Sequence, residues 1–91
     1  MRLRWTSKAL DDLARLQGFL RFAGPDAAAK AVQAITRAVR RLADYPRMGE
    51  RLTQFPSQEI RRFIVGNYEI RYEIRDAVIY IVRLWHTRED R

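Results

Sequence analysis

His86 is the one histidine of this sequence, and histidine is the residue type most often used as a general acid or base. It lies in a strongly basic chain: eighteen Lys and Arg against eleven Asp and Glu give a formal charge of +7, and all but two of the eighteen are arginine. Arginine offers a planar fork that suits phosphate and carboxylate. Such a charge attracts polyanions and acidic proteins, although it also serves simply as a solubilising surface.

Other kinds of chemistry are disfavoured by composition. The sequence has no cysteine, and one histidine without clustered carboxylates does not make a transition-metal site. The four glycines are scattered singly, so there is no glycine-rich phosphate loop. We therefore expect no metal and no cofactor. The absence of a long apolar run or a leader-like N-terminus predicts a cytoplasmic protein without a membrane segment.

The elements that must position these side chains follow from periodicity. Residues Arg2 to Trp5 alternate as a short strand, and Thr6-Ser7 supplies a helix cap. A first helix runs from there to Gly24. Pro25 opens a second, amphipathic helix that Pro46 should stop by residue 45.

The second half changes to a period of two after an irregular connection, residues 46–58. Three strands are predicted, at residues 59–65, 68–74 and 77–84, with Gly66-Asn67 as a tight turn. The last strand is apolar on both sides, so it should be covered on both faces or lie inside the sheet. A short polar tail, residues 86–91, follows.

Together these elements predict a single α+β domain over residues 1–91, in the order β-α-α-β-β-β. A chain this short forms one core. Two helices joined by a short break should form an antiparallel hairpin, packed on one face of an antiparallel sheet.

Three segments carry a resemblance to a known family. They are YPRMG at residues 45–49, VGNYEIRY at residues 65–72 and VRLWHTREDR at residues 82–91. In this order and spacing they resemble the RelE/ParE toxin superfamily of type II toxin–antitoxin systems, closest to the ParE-like branch. The resemblance covers nearly the whole chain. It implies a toxin bound and silenced by a cognate antitoxin, as a hetero-oligomer.

The resemblance implies three possible activities. ParE-like members inhibit DNA gyrase by binding it, without catalytic residues of their own. RelE-like members are metal-independent endoribonucleases that cleave mRNA on the ribosome. A third possibility is an inactive member that only binds its antitoxin.

The residues favour the gyrase hypothesis over the nuclease. Glu69 stands after Tyr68, where RelE proteins tend to carry arginine, and its carboxylate would repel a phosphate. No tyrosine follows His86. The lysine-rich segment of RelE nucleases is replaced by arginines, which are poor proton shuttles; these are Arg47, Arg51, Arg61 and Arg62.

Two sets of candidate residues follow. If the chain is a nuclease, its site should be built from Arg71, Arg83, His86 and Arg88. If it acts by binding, contacts with target or antitoxin are expected from Arg61, Arg62, Met48, Leu52, Phe55, Trp85, His86, Arg88 and Arg91. Structural roles remain open: strand-end packing for His86, core packing for Trp85, and a solvated sheet edge for Arg61 and Arg62. We expect an acidic antitoxin segment to fold against this surface.

Overall fold

In the computed structural model, which describes residues 1–89, the chain begins with strand β1 (Arg2–Trp5) and turns directly into helix α1 (Ser7–Phe19). Thr6 makes this junction. Its Oγ1 accepts a hydrogen bond from the backbone N–H of Ala9 at 3.1 Å and donates one to the carbonyl of Ile81 at 2.9 Å. The predicted helix cap is confirmed, and it also ties the start of α1 to the sheet.

The two helices form the predicted hairpin, with small differences at its ends. The first helix does not stay α-helical to Gly24: residues Leu20–Ala23 form a 3-10 turn. Gly24 then adopts φ 106°, a conformation that L side chains rarely adopt, and α2 (Pro25–Leu42) begins at Pro25. Helix α2 ends at Leu42, slightly before the position that Pro46 sets as its limit.

The sheet has five strands in the order β1-β5-β4-β3-β2. Strand β3 (Glu59–Val65), β4 (Tyr68–Arg75) and β5 (Val78–His86) form the predicted antiparallel meander. A two-residue strand, β2 (Glu50–Arg51), lies in the connection expected to be irregular. Strand β1 pairs parallel with β5, so β5 is internal, as predicted. The predicted polar tail begins later than expected, because β5 continues to His86.

A β-bulge in β5 changes which of its residues face the core. Strands β4 and β5 shift register between Arg71 and Tyr72, which leaves Val82 as an extra residue. An extra residue reverses the face of everything that follows it. Simple alternation places Leu84 on the same face as Val78, but in the structure Leu84 lies in the core, with no exposed surface.

Both helices pack on the same face of the sheet, which we call the core face. The buried core that they form with the sheet consists of Ala9, Leu16, Ile35, Ala38, Val39, Leu42, Ile70, Tyr72, Ile79, Ile81 and Leu84. The opposite face, which we call the open face, is covered by no helix within residues 1–89. In that part of the chain no helix is long and apolar enough to cross a membrane.

Candidate functional site

Arg71 and Arg83 lie side by side on the open face, paired across β4 and β5. Their guanidinium carbons sit over the ring of Trp85, at 4.8 Å and 4.9 Å from its centroid. Arg71 Nη2 also donates to the Glu69 carboxylate at 3.2 Å. The indole and the carboxylate therefore hold two of the four predicted nuclease residues together.

His86 lies on the other side of the sheet. Its ring packs between Phe19 and Tyr68, with centroid distances of 5.2 Å and 5.3 Å, and only 7% of the residue is exposed. Its Nδ1 accepts a hydrogen bond from the backbone N–H of Arg88 at 3.1 Å. The imidazole is thus enclosed by aromatic rings and engaged locally, as expected for a structural role at a strand end.

The four residues proposed for a nuclease are therefore not brought to one place. Arg71 and Arg83 are paired on the open face, where Arg83 reaches Asp12 of α1 at the edge of the sheet. His86 faces the helices, and the exposed Arg88 contacts it through a backbone N–H. General acid–base catalysis requires the groups to converge on one substrate atom within hydrogen-bond reach. The sheet separates them.

The end of β5 extends beyond its neighbour and is covered by α1. Strand β1 stops at Trp5, opposite Ile81, which leaves the following residues of β5 without a strand partner on that side. Side chains of α1 take its place: the N–H of Leu84 donates to Asp12 Oδ2 at 2.9 Å, and Arg15 Nη2 donates to the Leu84 carbonyl, also at 2.9 Å. These hydrogen bonds pair the N–H and the carbonyl of Leu84, which would otherwise be left unpaired at the edge of the sheet.

Three further contacts complete this arrangement, which we call the edge clamp (Asp12, Arg15, Arg83 and Glu89). The N–H of His86 donates to Glu89 at 2.8 Å, and Arg15 Nε donates to the same carboxylate at 2.8 Å. Arg83 Nε donates to Asp12 at 2.7 Å. The clamp therefore binds the charge of Arg83 to a carboxylate that is itself buried.

The clamp shifts the ionisation of its members. Burial favours the neutral form of Asp12, but hydrogen bonds from Arg83, the Leu84 N–H and Arg15 outweigh it, so the pKa of Asp12 is lowered. Burial likewise favours the neutral form of Glu89, but hydrogen bonds from Arg15 and the His86 N–H outweigh it, so the pKa of Glu89 is lowered. The hydrogen bond to Glu89 raises the pKa of Arg15. All three groups are thus held in their charged forms.

The YPRMG segment is attached to the core by one tyrosine. Tyr72 Oη donates to the Pro46 carbonyl at 2.8 Å and accepts from the Gly49 N–H at 2.9 Å. A Cβ at residue 49 would lie 2.7 Å from the Arg62 carbonyl, so this close approach requires glycine. Arg61 supports the junction by donating to the Gly49 carbonyl at 2.7 Å. It is therefore engaged internally.

The other predicted contact residues are unequally available. Met48 is exposed and lines a groove of about 720 Å³. Leu52, expected at the surface, is only 5% exposed, and its N–H donates to the carbonyl of Ile60 in β3. Phe55 and Trp85 are half-buried. The remaining lining residues of the groove are Arg41, Asp44, Tyr45, Pro46 and Arg47.

Arg61 and Arg62 do not lie at the edge of the sheet, as the solvated-edge interpretation required. Strand β2 pairs with β3 at both positions. Arg91 lies outside the described residues.

The edge clamp is the feature that sequence reasoning missed. In the sequence Asp12 is simply an acidic residue within the first predicted helix. Its partner Arg83 lies 71 residues away, and no local spacing connects them. The one local signal is the spacing of three between Asp12 and Arg15 in a helix, which favours an ion pair but does not show that it caps a strand.

The fold and this site define the class of protein: a small basic toxin domain of the RelE/ParE superfamily. The family described as ParE toxin of type II toxin–antitoxin system, parDE, matches residues 3–91. The chain belongs to this family. It is also 34% identical over 82 residues to Toxin RelE2 of Caulobacter vibrioides, with 90% of each protein covered.

A solved structure agrees. A chain of the chromosomal ParDE TA system from P. aeruginosa superimposes with a TM-score of 0.78 at 27% identity, and the match covers 94% of this chain and 95% of that one. The family implies a cognate antitoxin. The relatives carry both ParE and RelE names, so the names alone do not choose between gyrase and ribosome.

Proposed function

We propose that this protein is a ParE-like toxin that acts in the cytoplasm by binding and inhibiting DNA gyrase, and that an antitoxin with an acidic segment neutralises it. The inhibition needs no cofactor and no catalytic residue of the toxin.

The observation that supports this proposal is the separation of the nuclease candidates by the sheet. His86 is enclosed on the core face while Arg71 and Arg83 lie on the open face. The guanidinium of Arg83 is also bound to Asp12 at 2.7 Å. Arginine hardly deprotonates. Within residues 1–89, the strands carry no histidine or lysine on the open face; their one tyrosine there, Tyr80, lies beside Arg75. The nearly buried carboxylates of that face, Glu69 and Glu73, are engaged by Arg71 and Gln58.

The test is a supercoiling assay with purified toxin, gyrase and relaxed plasmid. We expect loss of supercoiling and accumulation of cleaved DNA as toxin exceeds gyrase, and equal activity of the His86→Gln variant. Circular dichroism would establish that this variant is folded. Full supercoiling at a large excess of folded toxin would exclude gyrase as the target.

A second candidate function is mRNA cleavage on the ribosome, favoured by the RelE name of the curated relative. It is tested by mapping mRNA ends on programmed ribosomes with the wild type and with His86→Gln and Arg71→Gln. Cleavage that depends on either residue would replace the gyrase proposal.

A further inference from the structure

Helix α2 carries three arginines on one side of its C-terminal half, and we call them the basic stripe (Arg37, Arg40 and Arg41). They lie within about 100° of the helix circumference, because each residue advances an α-helix by about 100°. All three are exposed, and they lie opposite the buried side of α2, which includes Ile35 and Leu42. The stripe is therefore a concentrated positive charge that faces solvent.

The basic stripe has no partner in the part of the chain that the structure describes. Within residues 1–89, none of its guanidinium groups forms an ion pair or donates a side-chain hydrogen bond. Arg61 and Arg83, by contrast, donate to carboxylates at 2.8 Å and 2.7 Å. Cations in the last turn of a helix complement its dipole, which accounts for Arg40 and Arg41. Arg37 lies more than one turn before the end of α2, so the dipole does not account for it.

The groove beside Met48 adjoins the stripe, and we call it the Tyr45 groove. Its volume is about 720 Å³, and its lining residues are Arg41, Asp44, Tyr45, Pro46, Arg47 and Met48. Tyr45 is 63% exposed, and its hydroxyl makes no hydrogen bond within residues 1–89. Arg41 belongs both to the stripe and to the groove. An exposed aromatic ring therefore lies next to positive charge that no carboxylate of residues 1–89 neutralises.

The chemistry of a nucleotide matches this arrangement. A nucleotide joins a flat base to an anionic phosphate through one sugar, so its binding site needs an aromatic ring close to a cation. Arginine pairs with phosphate through two parallel hydrogen bonds. Asp44 would repel a phosphate placed in the groove, whereas a carboxylate can accept a hydrogen bond from the amino group of a base. The charges thus favour a base in the Tyr45 groove and phosphates on the basic stripe.

We propose that the basic stripe and the Tyr45 groove bind single-stranded DNA. One base stacks on the ring of Tyr45, and the neighbouring phosphates pair with Arg37 and Arg41. The strand must be single, because the faces of the bases in a duplex are covered by their neighbours. The choice of DNA over RNA rests on the proposed function, in which the target is an enzyme that acts on DNA. The choice of a single strand rests on the groove and the stripe alone.

The experiment measures the fluorescence anisotropy of labelled nucleic acids with the full chain, in the absence of gyrase. The first probe is a strand of about twelve thymidines, a length within the usual range of single-strand sites. The comparison probes have the same length: a DNA duplex, an RNA strand and an abasic strand that keeps the phosphates. We expect the duplex and the abasic strand to bind about tenfold more weakly, since neither offers a base for stacking.

Substitutions separate stacking from charge. Tyr45→Ala should weaken binding of the thymidine strand about tenfold, and Tyr45→Phe should retain it because the ring remains. Arg37→Gln and Arg41→Gln should each reduce the slope of log affinity against log salt by about 0.7. The matched controls lie at the other end of the helical hairpin. Phe22→Ala removes a ring that is 97% exposed, and Arg21→Gln removes an exposed charge. Both should change binding less than about twofold.

Equal affinity for the abasic strand, unchanged binding by Tyr45→Ala, or the same loss with Arg21→Gln would overturn the proposal. Equal displacement of the DNA by polyglutamate of the same charge would assign the surface to an acidic protein instead. Tighter binding of the RNA strand that depends on Tyr45 would assign it to RNA. Thermal unfolding verifies that each variant is folded. The supercoiling assay with the wild type tests gyrase as the target independently, so the two proposals can fail separately.

Discussion

The two faces of the sheet are made by the same strands and have opposite properties. On the core face, Ile79, Ile81 and Leu84 of β5 are fully buried under the helices. On the open face the same strand presents Arg83 and Trp85, half-exposed and engaged with charged neighbours. Alternation along a strand thus separates the residues that form the buried core from those at the surface of the sheet. Substitutions on the two faces should therefore differ in their effect on stability.

The largest difference is expected between Ile81→Ala and Val78→Ala on β5. Ile81 is fully buried on the core face, so its truncation should lower the free energy of unfolding by about 3–4 kcal/mol. Val78 is half-buried on the open face, so Val78→Ala should lower the free energy of unfolding by less than about 1 kcal/mol. Urea unfolding followed by circular dichroism measures both. Similar losses of stability in the two variants would mean that the open face stabilises the fold as much as the core face does.

The next largest effect on stability is expected in the edge clamp. Asp12→Asn removes the charge that binds Arg83 and Arg15, while Asp12 is buried and its partners are partly exposed. We expect a loss of about 2–3 kcal/mol, below that of a fully buried pair because solvent reaches the arginines. Asp11→Asn, an exposed neighbour on the same helix, is the control and should be nearly neutral. A neutral Asp12→Asn would show that the clamp does not stabilise the fold.

The clamp also predicts a pH dependence. The pKa values of Asp12 and Glu89 are lowered in the folded protein, so the unfolded chain binds more protons in the acidic range. Their stabilisation is complete above the unfolded values, about pH 4–4.5, and is lost as the pH falls through the lower folded values. Urea unfolding across this range should show a steeper loss for the wild type than for Asp12→Asn. Parallel curves would exclude Asp12 as a source of the acid sensitivity.

A smaller effect is expected at the two tyrosines. Tyr72→Phe removes the hydroxyl that joins Pro46 and Gly49 and leaves the Gly49 N–H unpaired, so about 1–2 kcal/mol should be lost. Tyr80→Phe, on the open face, should cause no measurable loss. Thermal unfolding distinguishes them, and the opposite ranking would contradict the assigned roles of the two faces.

The smallest difference is expected between two neighbouring arginines of β3. Arg61→Gln breaks short hydrogen bonds to Gly49 and Glu59 and should cost about 1 kcal/mol. Arg62, on the open face, makes longer ion pairs, so Arg62→Gln should change the free energy of unfolding by less than about 0.5 kcal/mol. Thermal unfolding at low and high salt checks this. An Arg62 variant as unstable as the Arg61 variant would assign Arg62 a structural role.

The order of elements could be predicted because each has a local cause. Thr6 caps α1, Gly24 and Pro25 separate the helices, and Gly66, with φ 57°, allows the β3–β4 turn. Alternation along β4 places Glu69 and Arg71 on the face opposite Ile70 and Tyr72, as the structure has them. The 3-10 turn and the short strand β2 were not predicted, because neither has a periodicity long enough to detect.

The candidate site was predictable only in part. The sequence identified Arg71, Arg83 and Trp85, which the structure brings together, but it grouped them with His86. In β5 both sets of alternate positions are apolar, so nothing in the pattern locates the bulge at Val82 or shows which face follows it. The separation of His86 from Arg83 does not depend on that choice, because the two residues lie three positions apart in one strand and an odd spacing places their side chains on opposite faces.

The sequence by itself therefore determined the fold class, the strong basic character and the family resemblance, since capping, periodicity and charge are local properties of the chain. Only the tertiary structure decided that His86 is enclosed, that Asp12 binds Arg83, and that Arg71 and Arg83 lie side by side on the open face. The physical reason is that these features depend on strand register and on contacts between residues as many as 71 positions apart.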